Sequence, residues 1–283
     1  MPEVFTPVPR ITVTQLLDRY DGFLLDAYGV LVHGEGVLPH ATEFIAEVRR
    51  RDHDFVIITN DASALPENLS LIYARQGLFI PADRFVTAGS LLAGAFEAEG
   101  LIGSNVTVLG TPDSHEYVRR AGGVLVPPGE DLDALVVGDR SGYALVPAID
   151  AVVTAILRAR DAGREVRLVL PNPDVIHPKR DGTFGISSGS IAAMVESALK
   201  SRIPEGPSST FLHLGKPGPL LFEAGRRRLS GKRYLMIGDQ LETDVRGAVA
   251  AGLESALIGT GVANLDDPFG ELRPSWLLPD LSL

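Results

Sequence analysis

Residues 23–30 have the sequence FLLDAYGV, a short apolar run that leads directly into an aspartate, Asp26. Further short apolar runs predict buried strands, at residues 23–25, 55–58, 106–109, 134–137, 167–170, 235–237 and 256–258. Between them, apolar residues at helical spacing predict helices over residues 41–51, 65–76, 89–99, 149–162, 190–200, 219–228 and 243–251. This alternation predicts an α/β fold in which helices flank parallel sheets.

The composition is that of an ordinary folded protein, and it narrows the choice of partners. With 283 residues, 45% of them hydrophobic, the chain has the length and apolar content for two compact units. The net charge of -10 argues against nucleic-acid and anionic-membrane partners, because such surfaces need a positive field. The chain has no cysteine, no signal-peptide pattern at its start and no apolar run near the ~20 residues that span a bilayer. We therefore expect a cytoplasmic protein.

Polar residues follow several of the predicted strands directly, and parallel sheets bind ligands at the carboxyl ends of their strands. Four such positions stand out along the chain: Asp26, Thr59 with Asn60, Lys216 in LHLGKPGP, and Asp239 with Asp244 in LMIGDQLETD. None of the four lies in residues 100–206. We therefore expect a catalytic core formed by residues 1–99 and 207–283, with a second α/β domain, residues 100–206, inserted into it.

Together these side chains match the needs of phosphoryl transfer, which are a nucleophile, a cation and fixed donors. Asp26 can form an acyl phosphate, Thr59 offers a hydroxyl, Lys216 offers a compact positive charge, and Asp239 with Asp244 offers oxygen ligands for magnesium. Each residue has an ordinary alternative when taken alone. The aspartates and Thr59 also suit helix or turn caps, and Lys216 also suits a solvated surface.

The order and spacing of FLLDAYGV, VIITN, GKP and GDQLETD resemble the four motifs of the haloacid dehalogenase-like hydrolase superfamily. The insertion and its DGTFGISSGS segment resemble subfamily IIA, the branch of p-nitrophenylphosphatase, pyridoxal phosphatase and ribonucleotide or sugar phosphatases. The resemblance implies a Rossmann-like core, an inserted α/β cap over the active site, and Mg²⁺ as cofactor. It also implies a phosphatase acting on a small phosphorylated metabolite, and by analogy a homodimer.

The resemblance also assigns roles at the metal and at the reacting phosphorus. Asp26 is implied to be the nucleophile and a metal ligand, and the backbone carbonyl of Tyr28 is implied to be a second metal ligand. Asp239 is implied to bind the metal, and Asp244 to support the metal site.

Other residues are implied to bind the substrate. Thr59 and Asn60 are expected to hold the phosphoryl oxygens, and Lys216 to neutralise them. In the insertion, residues 171–174, His177 and the 179–182 turn form its most polar cluster, which the resemblance directs toward the substrate. The alternative is a solvated turn between two strands.

Tyr28 departs from the family pattern, which places a second aspartate two residues after the nucleophile. In the family that carboxyl protonates the leaving oxygen and later activates water, whereas a phenol loses its proton only near pH 10 and is a poor base. Three interpretations stay open. The protein is a phosphatase that uses another acid/base, for which His33 and Glu35 are available in sequence. It acts on substrates with good leaving groups, or it is a phosphoryl-ligand-binding or regulatory protein with little turnover.

Overall fold

The structure, a computed structural model, describes residues 7–34, 36–178, 183–266 and 269–283. Its strands, in chain order, are β1 (Gly22–Leu25), β2 (Val32–His33), β3 (Gly36–Val37), β4 (Asp54–Thr59), β5 (Phe85–Thr87), β6 (Asn105–Leu109), β7 (Val124–Leu125), β8 (Ala134–Val137), β9 (Arg167–Leu170), β10 (Ile176–Pro178), β11 (Phe184–Ile186), β12 (Leu212–His213), β13 (Tyr234–Gly238), β14 (Glu254–Ile258) and β15 (Trp276–Leu278).

Seven of the α-helices in the described residues match predicted ones, with shifts of a few residues at their ends, whereas the first and the fifth were not among those predicted. In chain order, the α-helices are α1 (Val13–Arg19), α2 (Ala41–Arg50), α3 (Pro66–Arg75), α4 (Leu92–Glu99), α5 (Pro112–Arg120), α6 (Leu145–Asp161), α7 (Ser188–Lys200), α8 (Pro219–Arg226) and α9 (Arg246–Ala250). The start of the helix predicted over 243–251 lies in a π-helical turn, Leu241–Val245, so that α9 itself begins at Arg246 and is short. Along the described ranges, no helix combines the length and apolarity of a membrane span.

The chain divides into two compact units. The first comprises Met1–Thr59, Pro66–Val86 and Lys216–Leu283, and the second comprises Asn60–Leu65 and Thr87–Gly215. The expected division had placed residues 1–99 with 207–283. The second unit of the structure starts earlier, at Thr87, ends later, at Gly215, and also takes residues 60–65.

The first unit contains a six-stranded sheet in the order β15-β14-β13-β1-β4-β5. The pairings from β15 through to β4 are all parallel, as the α/β prediction requires. Phe23, Leu24 and Leu25 of β1 are fully buried, which is typical of a central parallel strand covered on both faces. This order places the carboxyl ends of β14, β13, β1 and β4 side by side.

The second unit contains a five-stranded parallel sheet in the order β12-β9-β8-β6-β7. Because side chains alternate along a strand, β8 contributes to two cores. Leu135 and Val137 pack with α6 and α7, while Ala134 and Val136 pack with α4 and α5. Phe96 of α4 belongs to the second of these cores, and this packing is why the unit begins before residue 100.

Candidate active site

Three of the predicted site residues lie at neighbouring strand ends of the first unit. Asp26 follows β1, Thr59 ends β4 and Asp239 follows β13, and β1 pairs with both of the other strands. The backbone N–H of Asp26 still donates to the carbonyl of Ile237, at 2.9 Å, so Asp26 continues the ladder between β1 and β13. The side chains of all three residues are buried.

Lys216 joins this group as a buried cation that is only 2% exposed. Its Nζ donates to Oδ1 of Asp26 at 2.6 Å and to Oδ1 of Asp244 at 2.7 Å. Burial alone lowers the pKa of Lys216, but the charges of Asp244 and Asp26 outweigh this effect and raise it. Lys216 is therefore a permanent positive charge held between two carboxylates.

Asp26, Asp239 and Asp244 form an acidic cluster, each offering an oxygen within 4.8 Å of the others. Oδ2 of Asp239 accepts from the backbone N–H of Val262 at 2.8 Å, while its buried Oδ1 has no hydrogen-bond partner among the described residues. A buried carboxylate oxygen without a partner is costly, and hard divalent cations such as Mg²⁺ prefer oxygen ligands. The cluster therefore fits a divalent cation.

The electrostatics of the cluster agree with this fit. Burial raises the pKa of Asp26 well above its usual range; Lys216 opposes the rise, and Asp244 and Asp239 add to it. Burial, followed by the neighbouring charge of Asp244, raises the pKa of Asp239 to about 7. These carboxyls lie close enough to repel one another, and added positive charge favours their ionised forms.

Further contacts come from the loop after β14, which the sequence analysis did not assign to the site. The hydroxyl of Thr260 donates to the carbonyl of Gly29 at 2.6 Å, and Val262 supplies the N–H that binds Asp239. A Cβ on Gly29 or Gly261 would overlap the carboxylate of Asp239, so both glycines make room for it. The available signal was a glycine-rich stretch, residues 259–261, directly after a predicted strand.

Tyr28 occupies the position of the missing aspartate, and its side chain is 49% exposed, unlike the buried carboxylates. Its backbone forms an isolated bridge with Val32, at the start of the β2–β3 hairpin. His33, one of the two alternative acid/base residues, lies in β2, and Glu35 lies outside the described residues. Metal binding by the Tyr28 carbonyl stays a prediction.

Two predicted substrate-binding residues belong to the second unit. Asn60 is buried, and its Nδ2 donates to Oδ1 of Asp174 at 2.9 Å. His177 lies in β10, opposite Gly185 of β11. The turn at 179–182 lies outside the described residues. The substrate contacts assigned to Asn60, His177 and this turn stay predictions.

Comparison with known proteins identifies the family. The model of the haloacid dehalogenase-like hydrolases matches residues 23–123, and a second model, HAD-hydrolase-like, matches residues 213–282. Chronophin of Mus musculus is 30% identical over 262 residues, which cover 89% of this chain and 85% of that protein. The chain belongs to the haloacid dehalogenase-like hydrolases. Its relatives place it in subfamily IIA, and the predicted enzyme class, phosphoric monoester hydrolase, is confirmed.

Other members of the superfamily are similar to this hydrolase in sequence, and two solved structures are similar to it in fold as well. Dihydroxyacetone phosphatase of Corynebacterium glutamicum is 25% identical, over 86% of this chain and 82% of that protein. A possible sugar phosphatase of Cytophaga hutchinsonii superposes with a TM-score of 0.83 at 28% identity, over 98% of this chain and 99% of that one. Glycerol phosphate phosphatase of Mycobacterium tuberculosis, solved with magnesium, has a TM-score of 0.77 at 26% identity, over 96% of this chain and 77% of that one.

Proposed function

We propose that this hydrolase cleaves a small phosphate monoester through an aspartyl-phosphate intermediate on Asp26, with Mg²⁺ as its cofactor. The observation that carries the proposal is the pairing of Lys216 with Asp26 and Asp244, beside the unpartnered oxygen of Asp239. These contacts support the proposal because a carboxylate that can attack phosphorus, a fixed cation and a carboxylate oxygen that can bind a metal lie close together at neighbouring strand ends. The family's phosphatase chemistry needs these groups together.

The reaction has two displacements at phosphorus. In the first, a carboxylate oxygen of Asp26 attacks, the ester P–O bond breaks, and the alcohol leaves with a proton. In the second, water attacks the aspartyl phosphate and loses a proton, the bond to Asp26 breaks, and inorganic phosphate departs. Lys216 opposes the negative charge of the phosphoryl oxygens, and the hydroxyl of Thr59 is assigned to donate to one of them.

Asp26 and Asp239 would hold the metal, with Asp244 supporting the metal site through its bond to Lys216. Bound Mg²⁺ would supply positive charge that neutralises the carboxylates and the phosphoryl oxygens. The magnesium-bound phosphatase of M. tuberculosis supports this choice of metal. A small sugar, nucleotide or similar phosphate is supported as substrate by the names of the relatives. A cap role for the second unit, a homodimer and a cytoplasmic location stay predictions.

Tyr28 favours a second candidate function. A phenol in place of the second aspartate weakens proton transfer to the leaving oxygen, so a phosphoryl-binding protein with little turnover would retain the nucleophile and the cation but release product slowly. The two functions differ in the rate of phosphate release through Asp26, which is substantial only for the enzyme.

Phosphate release from p-nitrophenyl phosphate and from a panel of sugar and nucleotide monophosphates tests the proposal. We expect wild-type release to need Mg²⁺, to stop on chelation and to fall by more than about 10³-fold in Asp26→Asn, because the amide is a poor nucleophile. Asp18→Asn is the matched control, since Asp18 is an exposed acid of the same unit that pairs with Arg51. Equal release by wild type and Asp26→Asn across the panel would contradict the proposal.

A further inference from the structure

The loop that follows Thr59 is held at every residue by other parts of the second unit. Asn60 is held through its side chain by Asp174, as described above. The contacts that hold residues 61–65 involve the backbone groups of these residues. They are Gly89 N–H to the Asp61 carbonyl (3.2 Å), Ser114 Oγ to the Ala62 carbonyl (2.8 Å), Thr111 Oγ1 to the Ser63 carbonyl (2.6 Å), Tyr117 OH to the Ala64 carbonyl (2.7 Å) and Leu65 N–H to Asp113 Oδ2 (2.8 Å).

Asp174 makes the one contact in this set that reaches a side chain, that of Asn60. Asp174 is itself fixed by its neighbours. Its N–H donates to Oδ1 of Asn172 at 2.9 Å, and its carbonyl accepts from the N–H of Gly189 at 2.9 Å. A Cβ on Gly189 would overlap the carbonyls of residues 173 and 174. The carboxylate of Asp174 is therefore presented to Asn60 from a turn with little freedom.

The other side of the Asn60 amide is closely packed as well. A Cβ on Gly215 would overlap Oδ1 of Asn60 and would lie 2.7 Å from the carbonyl of Pro171. In the chain, Asn60 directly follows Thr59, and Gly215 directly precedes Lys216. Thr59 is thus one peptide bond away from Asn60, and Lys216 is one peptide bond away from Gly215, which packs against the Asn60 amide.

We propose that Asp174 is a positioning residue for the reaction: its carboxylate fixes the Asn60 amide, and with it the chain on either side of the packed pair Asn60 and Gly215. Asn60 is 4% exposed, so removal of the Asp174 acceptor takes a hydrogen bond from a buried amide, and we expect the side chain to shift in response. Such a shift moves groups that must stay within a fraction of an ångström of the phosphoryl oxygens. The inference rests on the proposed phosphatase function and on the phosphoryl-binding role of this loop.

A kinetic double-mutant cycle tests the coupling. We expect Asp174→Ala to lower kcat/KM by roughly 10- to 100-fold with Mg²⁺ saturating. In an Asn60→Ala background the same substitution should cost less than about 2-fold, because the group on which it acts is gone. Asp174→Asn retains an acceptor oxygen and should recover most of the loss. Equal losses in both backgrounds, or an Asp174→Asn enzyme as slow as Asp174→Ala, would overturn the proposal.

A second measurement separates this inference from the proposed function. Amide hydrogen exchange of residues 60–65 should accelerate in Asp174→Ala and stay at the wild-type rate in Asp131→Ala, a matched control in which an exposed acid of the same unit loses its pairing with Arg164. A wild-type protein without phosphate release would contradict the proposed function but not the contact between Asp174 and Asn60. If amide hydrogen exchange of residues 60–65 is unchanged in Asp174→Ala, the positioning role of Asp174 is wrong, whatever the phosphatase activity.

Discussion

At the scale of single residues, the main feature of the site is an excess of buried negative charge. When ionised, Asp26, Asp239 and Asp244 set three negative charges against the single ammonium of Lys216, all of them buried. Uncompensated buried charge is expensive, so the carboxyls either take up protons or acquire a cation. The raised pKa values of Asp26 and Asp239 show the first response, and a divalent cation supplies the second by matching the excess of two negative charges.

Tyr28 offers a gain-of-function prediction at this scale. Tyr28→Asp restores the carboxyl that the family uses to protonate the leaving oxygen, and we expect kcat to rise on the order of 10²-fold. The gain should be larger for an alkyl phosphate than for p-nitrophenyl phosphate, whose leaving group needs less protonation. Steady-state kinetics on both substrates measures this difference.

Tyr28→Phe is the control for that substitution, because it removes the hydroxyl and retains the ring. If Tyr28→Asp is no faster than wild type on either substrate, another residue already carries out the proton transfer. A large loss in Tyr28→Phe would identify the Tyr28 hydroxyl itself as the proton donor.

At the scale of elements, the strand ends were predictable and the supporting loop was not. Asp26, Thr59 and Asp239 are visible in sequence because each closes a short apolar run, and parallel packing brings such ends together. The loop after β14 escaped prediction because its main contribution is the backbone N–H of Val262, which any residue other than proline can supply. Its glycines matter through the space they leave for Asp239, which only the folded chain reveals.

A substitution at Gly261 tests whether the loop after β14 positions the Asp239 carboxylate. A Cβ at this position would overlap the Asp239 carboxylate, so we expect Gly261→Ala to displace it and to raise the Mg²⁺ concentration for half-maximal activity by roughly 10-fold or more. Titration of activity with Mg²⁺ measures the change. Gly270→Ala is the matched control, because a Cβ there meets no atom within 4 Å and should leave the titration unchanged. Coincident titrations for the two variants would show that Asp239 does not need this space.

At the scale of the whole molecule, the sequence predicted two units but misplaced where the chain passes between them. The expected bounds followed the motifs, and residues 87–99 carry none that distinguishes one unit from the other. Amphipathic spacing reveals that a helix has an apolar face, but not which core covers that face. In the structure Leu92, Ala95 and Phe96 of α4 pack against Val106, Val118 and Val136, and this shared core assigns the helix to the second unit.

A substitution at Phe96 distinguishes the boundary near residue 100, expected from sequence, from the start of the second unit at Thr87. The side chain is fully buried, so Phe96→Ala should destabilise the unit that contains it by about 3–5 kcal/mol. Amide hydrogen exchange should then accelerate in β6 and β8 of the second unit, while β1 and β13 of the first unit keep more of their protection. Phe79→Ala is the matched control, since Phe79 is 69% exposed in the first unit and its loss should change neither region. Loss of protection confined to β1 and β13 in Phe96→Ala would instead assign α4 to the first unit and restore the boundary near residue 100.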